Sequence, residues 1–145
     1  MTLELLAPVI AIAVLGAAAL ALALQRGGQR RLVGRVIVID VDFASPRQWP
    51  SILYFTGENC TICHTAQRPA LNALEERLNA VPILEIDVAE QPEIARRFRV
   101  LSLPTTIVLG ADGAISDINV GFASTDKLAR QLDAAGARSR ELVTA

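Results

Sequence analysis

The feature that most constrains this chain is the run Ser51-Ile52-Leu53-Tyr54-Phe55, followed at once by Thr56-Gly57-Glu58-Asn59 and then Cys60-Thr61-Ile62-Cys63. The first five residues are short, apolar, aromatic and β-branched, and Pro50 and Gly57 bound them, so they predict a buried strand. Beyond Cys60, the residues Ala66, Ala70, Leu71, Leu74 and Leu78 recur at three- and four-residue spacings, which predicts a helix. Cys60 therefore stands where a strand hands over to a helix. It and Cys63 are the two cysteines of the chain.

That position has chemical consequences. The first turn of a helix presents unpaired N–H groups and the positive end of the helix dipole, both of which favour a thiolate. Cys63 lies one turn later on the same face, so the two sulfurs can close a disulfide within the turn. Two cysteines make no disulfide scaffold, and this spacing suits exchange chemistry. Cys60 is the expected nucleophile and Cys63 the expected resolving thiol. Asn59 and His64, which flank the pair, are candidate modulators of it.

Taken together, Tyr54-Phe55-Thr56-Gly57-Glu58-Asn59-Cys60-Thr61-Ile62-Cys63 resembles the active-site strand and turn of the thioredoxin family. Downstream, Ile86-Asp87-Val88 looks like that family's third strand, and Leu103-Pro104-Thr105-Thr106 looks like its cis-proline loop. Asp112-Gly113 and Val120-Gly121 look like the closing hairpin and its glycine. The resemblance covers about residues 35 to 138 in order and spacing. It implies an α/β, thioredoxin-like fold: a mixed central sheet flanked by helices. It further implies that Pro104 is cis and faces the cysteines, and that the backbone at Leu103 pairs with an extended substrate chain. The implied activity is thiol–disulfide exchange with disulfide-containing protein clients, with no cofactor and no metal. Electrons would come from a thioredoxin-reductase-like or membrane donor. Four positions depart from the family pattern. Asn59 replaces the usual tryptophan, and Thr61-Ile62 the usual glycine-proline. Pro69 stands one position later than the common helix proline, and Tyr54 takes the place of a buried acidic residue.

Residues 5–24 contain no charged or strongly polar side chain. As a helix, about twenty residues rise about 30 Å, the thickness of a bilayer's hydrocarbon core. The expectation is one N-terminal transmembrane helix in contact with the lipid bilayer, placing the protein in the plasma (inner) membrane as a single-pass protein. Pro8 is expected in its first turn, where proline is tolerated. A cleaved leader and a buried soluble helix are the competing readings. Against the leader stand Glu4, the lack of an early Lys or Arg and the length of the apolar run. Arg26, Arg30, Arg31 and Arg35 crowd the C-terminal flank, which by the positive-inside rule puts the following domain in the cytoplasm. The extracytoplasmic side is the alternative.

The 145 residues carry a net charge of −1 and suffice for one domain and an appendage. No basic, aromatic-interleaved surface is evident, so no nucleic-acid partner is expected. The expected organisation is an anchor at 1–25, a linker at 26–34 marked by Gly27-Gly28, the folded domain at 35–138 and a tail at 139–145. Within the domain, strands are expected at 36–41, 51–55, 83–88, 105–109 and 114–120. A turn segment holding Trp49 lies at 45–50. A short helix starts near Pro92, and a last helix is capped by Ser124 or Thr125 and stopped by Gly136.

Three other chemistries are weighed against exchange. Cys60-Thr61-Ile62-Cys63-His64 is a literal haem-attachment string, yet the single Met and single His offer little for a second axial ligand. Cys60, Cys63 and His64 give three ligands, and a closed zinc site needs four. A redox-weak, membrane-tethered binding module on the same fold is the runner-up.

Overall fold

Two compact units make up the chain, residues 1–31 and 32–145. The computed structural model describes residues 3–36, 50–79 and 81–144; side chains are described at 8–21 and 23–24 of the first helix and through 138 of the last.

The first unit is a single helix, α1 (Leu3–Arg30), 28 residues long. Because it starts at Leu3, Pro8 falls in its second turn rather than its first, where its missing N–H leaves the fourth carbonyl back without a helical donor. Gly27 and Gly28, expected in a linker, continue the helix. Each costs about 1 kcal/mol relative to alanine, which a helix already propagating over many turns absorbs. Val9, Ile10, Ile12, Val14, Leu15, Leu20 and Leu24 are exposed. Among the described residues no helix is long and apolar enough to cross a membrane.

The second unit is built on β1 (Ser51–Thr56), buried at all six positions. Such a strand must be covered on both faces and paired on both edges. Parallel to it runs β2 (Ile83–Asp87), with Phe55 opposite Ile86. Antiparallel to it runs β3 (Thr105–Leu109), with Leu53 opposite Ile107. A hairpin then adds β4 (Ile115–Val120), giving the order β2-β1-β3-β4. The hairpin turn closes through Gly113, whose φ of 77° suits glycine. At the start of β4, the Gly34 N–H donates to the Ile115 carbonyl and the Ile115 N–H to the Arg35 carbonyl, and Val36 bridges Ala114. Leu32 is buried with Phe55 and Ile107, so the folded unit already includes it. The remainder of the strand expected at 36–41, and Trp49, lie outside the described residues.

Strand alternation splits the core in two. Ile52, Tyr54 and Val108 face one way, under α2 (Arg68–Leu78) and α4 (Thr125–Thr144). Leu53, Phe55, Ile107 and Leu109 face the other way, under α3 (Pro92–Arg97) and Phe98. The mixed sheet with helices on both faces is the expected α/β architecture. Ser124 caps α4 through its hydroxyl and the Lys127 N–H, whereas the Thr125 hydroxyl donates to the Ala70 carbonyl and joins α4 to α2. Gly136 does not stop α4, which continues to Thr144. A Cβ there would make only ordinary contact, 3.5 Å from Pro50 Cγ, so nothing in the packing requires glycine at this position.

Candidate active site

The site grows from the end of β1. Gly57 follows the strand, and a Cβ on it would sit 3.0 Å from Leu103 Cδ1, close enough that the leucine methyl would have to give by a few tenths of an ångström. Glu58 and Asn59 are exposed, and the Cys60 N–H turns back onto the Gly57 carbonyl at 3.0 Å. Cys60 is half-buried at the mouth of the helix; Thr61 and Ile62 are exposed; Cys63 is fully buried. The two sulfurs are bonded, S–S 2.07 Å, with Cα atoms 5.2 Å apart. The Cys63 N–H points at Cys60 Sγ from 3.2 Å. In the reduced state that donor stands ready for a thiolate at Cys60.

Leu103–Pro104 is a cis peptide. It immediately precedes β3, whose Thr105 is opposite Phe55 at the end of β1. Pro104 therefore lies beside the strand end from which the cysteine loop departs, and Leu103 packs on Gly57. The Gly121 N–H donates to the Pro104 carbonyl at 2.8 Å, with Gly121 at φ 83°. Cys60, Cys63, Leu103 and Pro104 thus gather at one end of the sheet. His64 is there too, the residue directly after Cys63, with Nε2 3.1 Å from the Glu58 carbonyl. A carbonyl only accepts, so this contact requires the proton on Nε2. His64 ties down the loop that presents Cys60. Asn59 stays at the exposed tip of that loop.

The helix beneath the cysteines is not uniform. Residues Cys63–Gln67 form a π-helical turn, closed by the Arg68 N–H on the Cys63 carbonyl five residues back. The cause is in the sequence. Pro69 has no N–H to donate, and its ring would strike the Thr65 carbonyl of a regular helix. A π turn accommodates one residue more than an α turn, and it takes up the one-position delay of Pro69. The Cys63 carbonyl also accepts the Tyr54 hydroxyl at 3.0 Å. Tyr54 is 1% exposed, and burial pushes its phenol above the ordinary value. The nearby Thr56 hydroxyl and the Arg68 charge pull the other way. Among the described residues Thr56 Oγ1 makes no hydrogen bond, so its pull is weak and burial prevails. Tyr54 therefore stays a neutral donor at neutral pH.

Arg68 lies over the Tyr54 ring, 6.0 Å from its centroid, and grips Glu85 with both terminal nitrogens, Nη1 to Oε2 at 2.8 Å. The Glu85 side chain is 42% exposed in this pair. Its hydrogen bond raises the Arg68 guanidinium further above its ordinary value. Gln67 also belongs to the site. It is fully buried and bonds the Ala123 backbone through both ends of its amide. Its signal was present: a polar side chain on the inward stripe between Cys63 and Leu71. Among the described residues no group of three or more His, Cys, Asp or Glu side chains is placed to hold a metal.

Comparison with known proteins gives a consistent answer. The thioredoxin family profile matches residues 40–134. A thioredoxin of Staphylococcus haemolyticus is 47% identical over 51 residues, covering 35% of this chain and 48% of that protein. Thioredoxin H2 of Arabidopsis thaliana is 29% identical over 58 residues, covering 40% and 43%. The chain thus spans about half the length of the curated relatives it matches. Among solved structures, thioredoxin-2 of the malaria parasite superposes with a TM-score of 0.55 at 26% identity, over 59% of this chain and 82% of that one. The oxidised mitochondrial thioredoxin 3 of Saccharomyces cerevisiae gives 0.51 at 26% identity, over 59% and 77%. With the bonded cysteine pair at a strand–helix junction, the cis-proline beside it and a profile match across most of the folded unit, the chain belongs to the thioredoxin family.

Proposed function

We propose that this protein is a membrane-tethered thiol–disulfide oxidoreductase acting on disulfide-containing protein clients. The observation that carries the reading is the asymmetry of the pair: Cys60 half-buried at the helix mouth, Cys63 fully buried behind it, and the cis Leu103–Pro104 bond alongside. The Cys60 thiolate attacks a client disulfide, forms a mixed disulfide and expels one client thiolate. The Cys63 thiolate then attacks Cys60 Sγ, expels the second client thiolate and closes the Cys60–Cys63 bond. The client gains two electrons and the protein loses them. A dithiol donor, thioredoxin-reductase-like or membrane-bound, returns the pair to its reduced form.

The tether is supported by the uncharged stretch 5–24, by the 28-residue helix through it and by the exposed apolar side chains on that helix. The arginines at 26, 30, 31 and 35 favour a cytoplasmic domain, where a reducing poise keeps the pair as a dithiol. Insulin reduction by dithiothreitol tests the activity. The wild type accelerates it and Cys60→Ser does not; equal rates would leave a redox-weak binding module. Alkaline-carbonate extraction tests the tether, which keeps the full chain in the membrane pellet and releases a chain lacking residues 1–25.

A further inference from the structure

We propose that Gln67 is a positioning residue that couples the Cys60–Cys63 turn to the Pro104 loop. Gln67 occupies an inward position of the π turn and is 0% exposed. Burying a primary amide is costly unless both its ends are bonded. Both ends are spent on one residue: Nε2 donates to the Ala123 carbonyl at 3.1 Å, and the Ala123 N–H donates to Oε1 at 2.9 Å. Ala123 is two residues beyond Gly121, and the Gly121 N–H holds the Pro104 carbonyl at 2.8 Å. The connection from the resolving cysteine to the cis-proline therefore runs through Gln67, Ala123 and Gly121.

The opposite end of the same turn is fixed by the Tyr54 hydroxyl on the Cys63 carbonyl. Tyr54 sets the turn against the sheet, and Gln67 sets it against the loop that would face a client. Removing the amide leaves a buried N–H and a buried C=O of Ala123 unpaired, so the 121–123 segment is the part that yields. Pro104 loses its fixed distance from Cys60, and a docked client strand no longer presents its disulfide in line.

The test uses the full chain in detergent micelles. Gln67→Met keeps length and bulk while removing both hydrogen bonds. The first readout is amide hydrogen exchange in the oxidised protein, which needs no client. The amides of Ala123 and Gly121 exchange at least about tenfold faster, while that of Ile107 in β3 is unmoved. Faster exchange at Ala123 alone, or at neither, overturns the coupling. Gln67→Glu carries the test should Gln67→Met fail to fold: at about pH 5 its buried, protonated carboxyl keeps an acceptor and a donor toward Ala123 and wild-type rates, whereas its ionisation at higher pH speeds both amides together; rates that stay at wild type throughout, or speed at Ala123 alone, overturn the coupling.

The second readout rests on the client reading above. In a Cys63→Ser background, the rate of mixed-disulfide formation on Cys60 is compared for an extended peptide disulfide and for hydroxyethyl disulfide. Gln67→Met lowers the peptide-to-small-disulfide ratio about tenfold, whereas a purely structural residue lowers both rates and leaves the ratio alone. An unchanged ratio overturns the proposal. A wild-type preference for neither disulfide sinks the client reading instead, and the exchange data still decide the coupling.

Discussion

The two faces of the sheet are held by different means. Under α3, the face of Leu53, Phe55, Ile107 and Leu109 is joined by apolar packing, with the Phe55 and Phe98 rings 5.7 Å apart and tilted by 54°. Under α2 and α4, the opposite face is also apolar, but buried polar side chains stitch it to the strands. Tyr54 holds Cys63, Gln67 holds Ala123, and Asn119 bonds Thr106 and exchanges two hydrogen bonds with Gln131. Apolar packing is non-directional and supplies stability, whereas buried hydrogen bonds are directional and penalise any displacement. The stitched face is the one that carries the cysteines. Stability and site geometry are thus assigned largely to different sides of one sheet.

This contrast is broken most forcefully from the apolar side. Phe98→Ala removes a fully buried ring and is expected to cost about 3–5 kcal/mol in urea unfolding. Insulin reduction per folded molecule should be unchanged; a fall in that specific rate would show that the two faces are not separable.

Tyr54→Phe tests the other side with a smaller cost, about 1 kcal/mol for one lost hydrogen bond. It also carries a pH signature. The folded phenol is raised above its ordinary value near 10, so between those two values the unfolded chain binds fewer protons than the folded one. Stability should be fully present below pH about 10 and should decline as pH climbs through the raised value. Tyr54→Phe should abolish that part of the decline. Because the chain has one tyrosine, tyrosinate absorbance reports this group alone. A midpoint at or below 10 would contradict the burial argument.

The smallest effect is expected at the rim. Arg68→Gln cuts the pair with Glu85, whose side chains are 41% and 42% exposed. Solvent screening limits such a pair to about 0–1 kcal/mol, and added salt should erase even that. A loss above that range would place Arg68 among the stitches, acting through the Tyr54 ring it covers.

Much of this arrangement can be read from residue order. The apolar run from Ser51 and the paired cysteines place the strand–helix junction, and Leu103-Pro104 with Asp112-Gly113 places the cis bond and the hairpin. These are local signals, each carried by neighbouring residues. Gln67 and Asn119 are different, because their meaning depends on Ala123, Thr106 and Gln131, which only the fold brings near. The π turn is an intermediate case. The late position of Pro69 announces an irregularity, but its location at Cys63–Gln67 depends on where the Cys63 carbonyl finds its donors. Gly136 shows the limit of a local rule. A glycine after an amphipathic stretch reads as a helix stop, and here it lies inside a helix that goes on to Thr144.

The central claim is that Cys60 meets the substrate and Cys63, behind it, resolves. Brief treatment of the reduced full chain with less than one equivalent of iodoacetamide at neutral pH, followed by peptide mass mapping, tests it directly. The account predicts carbamidomethylation at Cys60 with Cys63 left as a free thiol. Label shared equally between the two, or found first on Cys63, would contradict it.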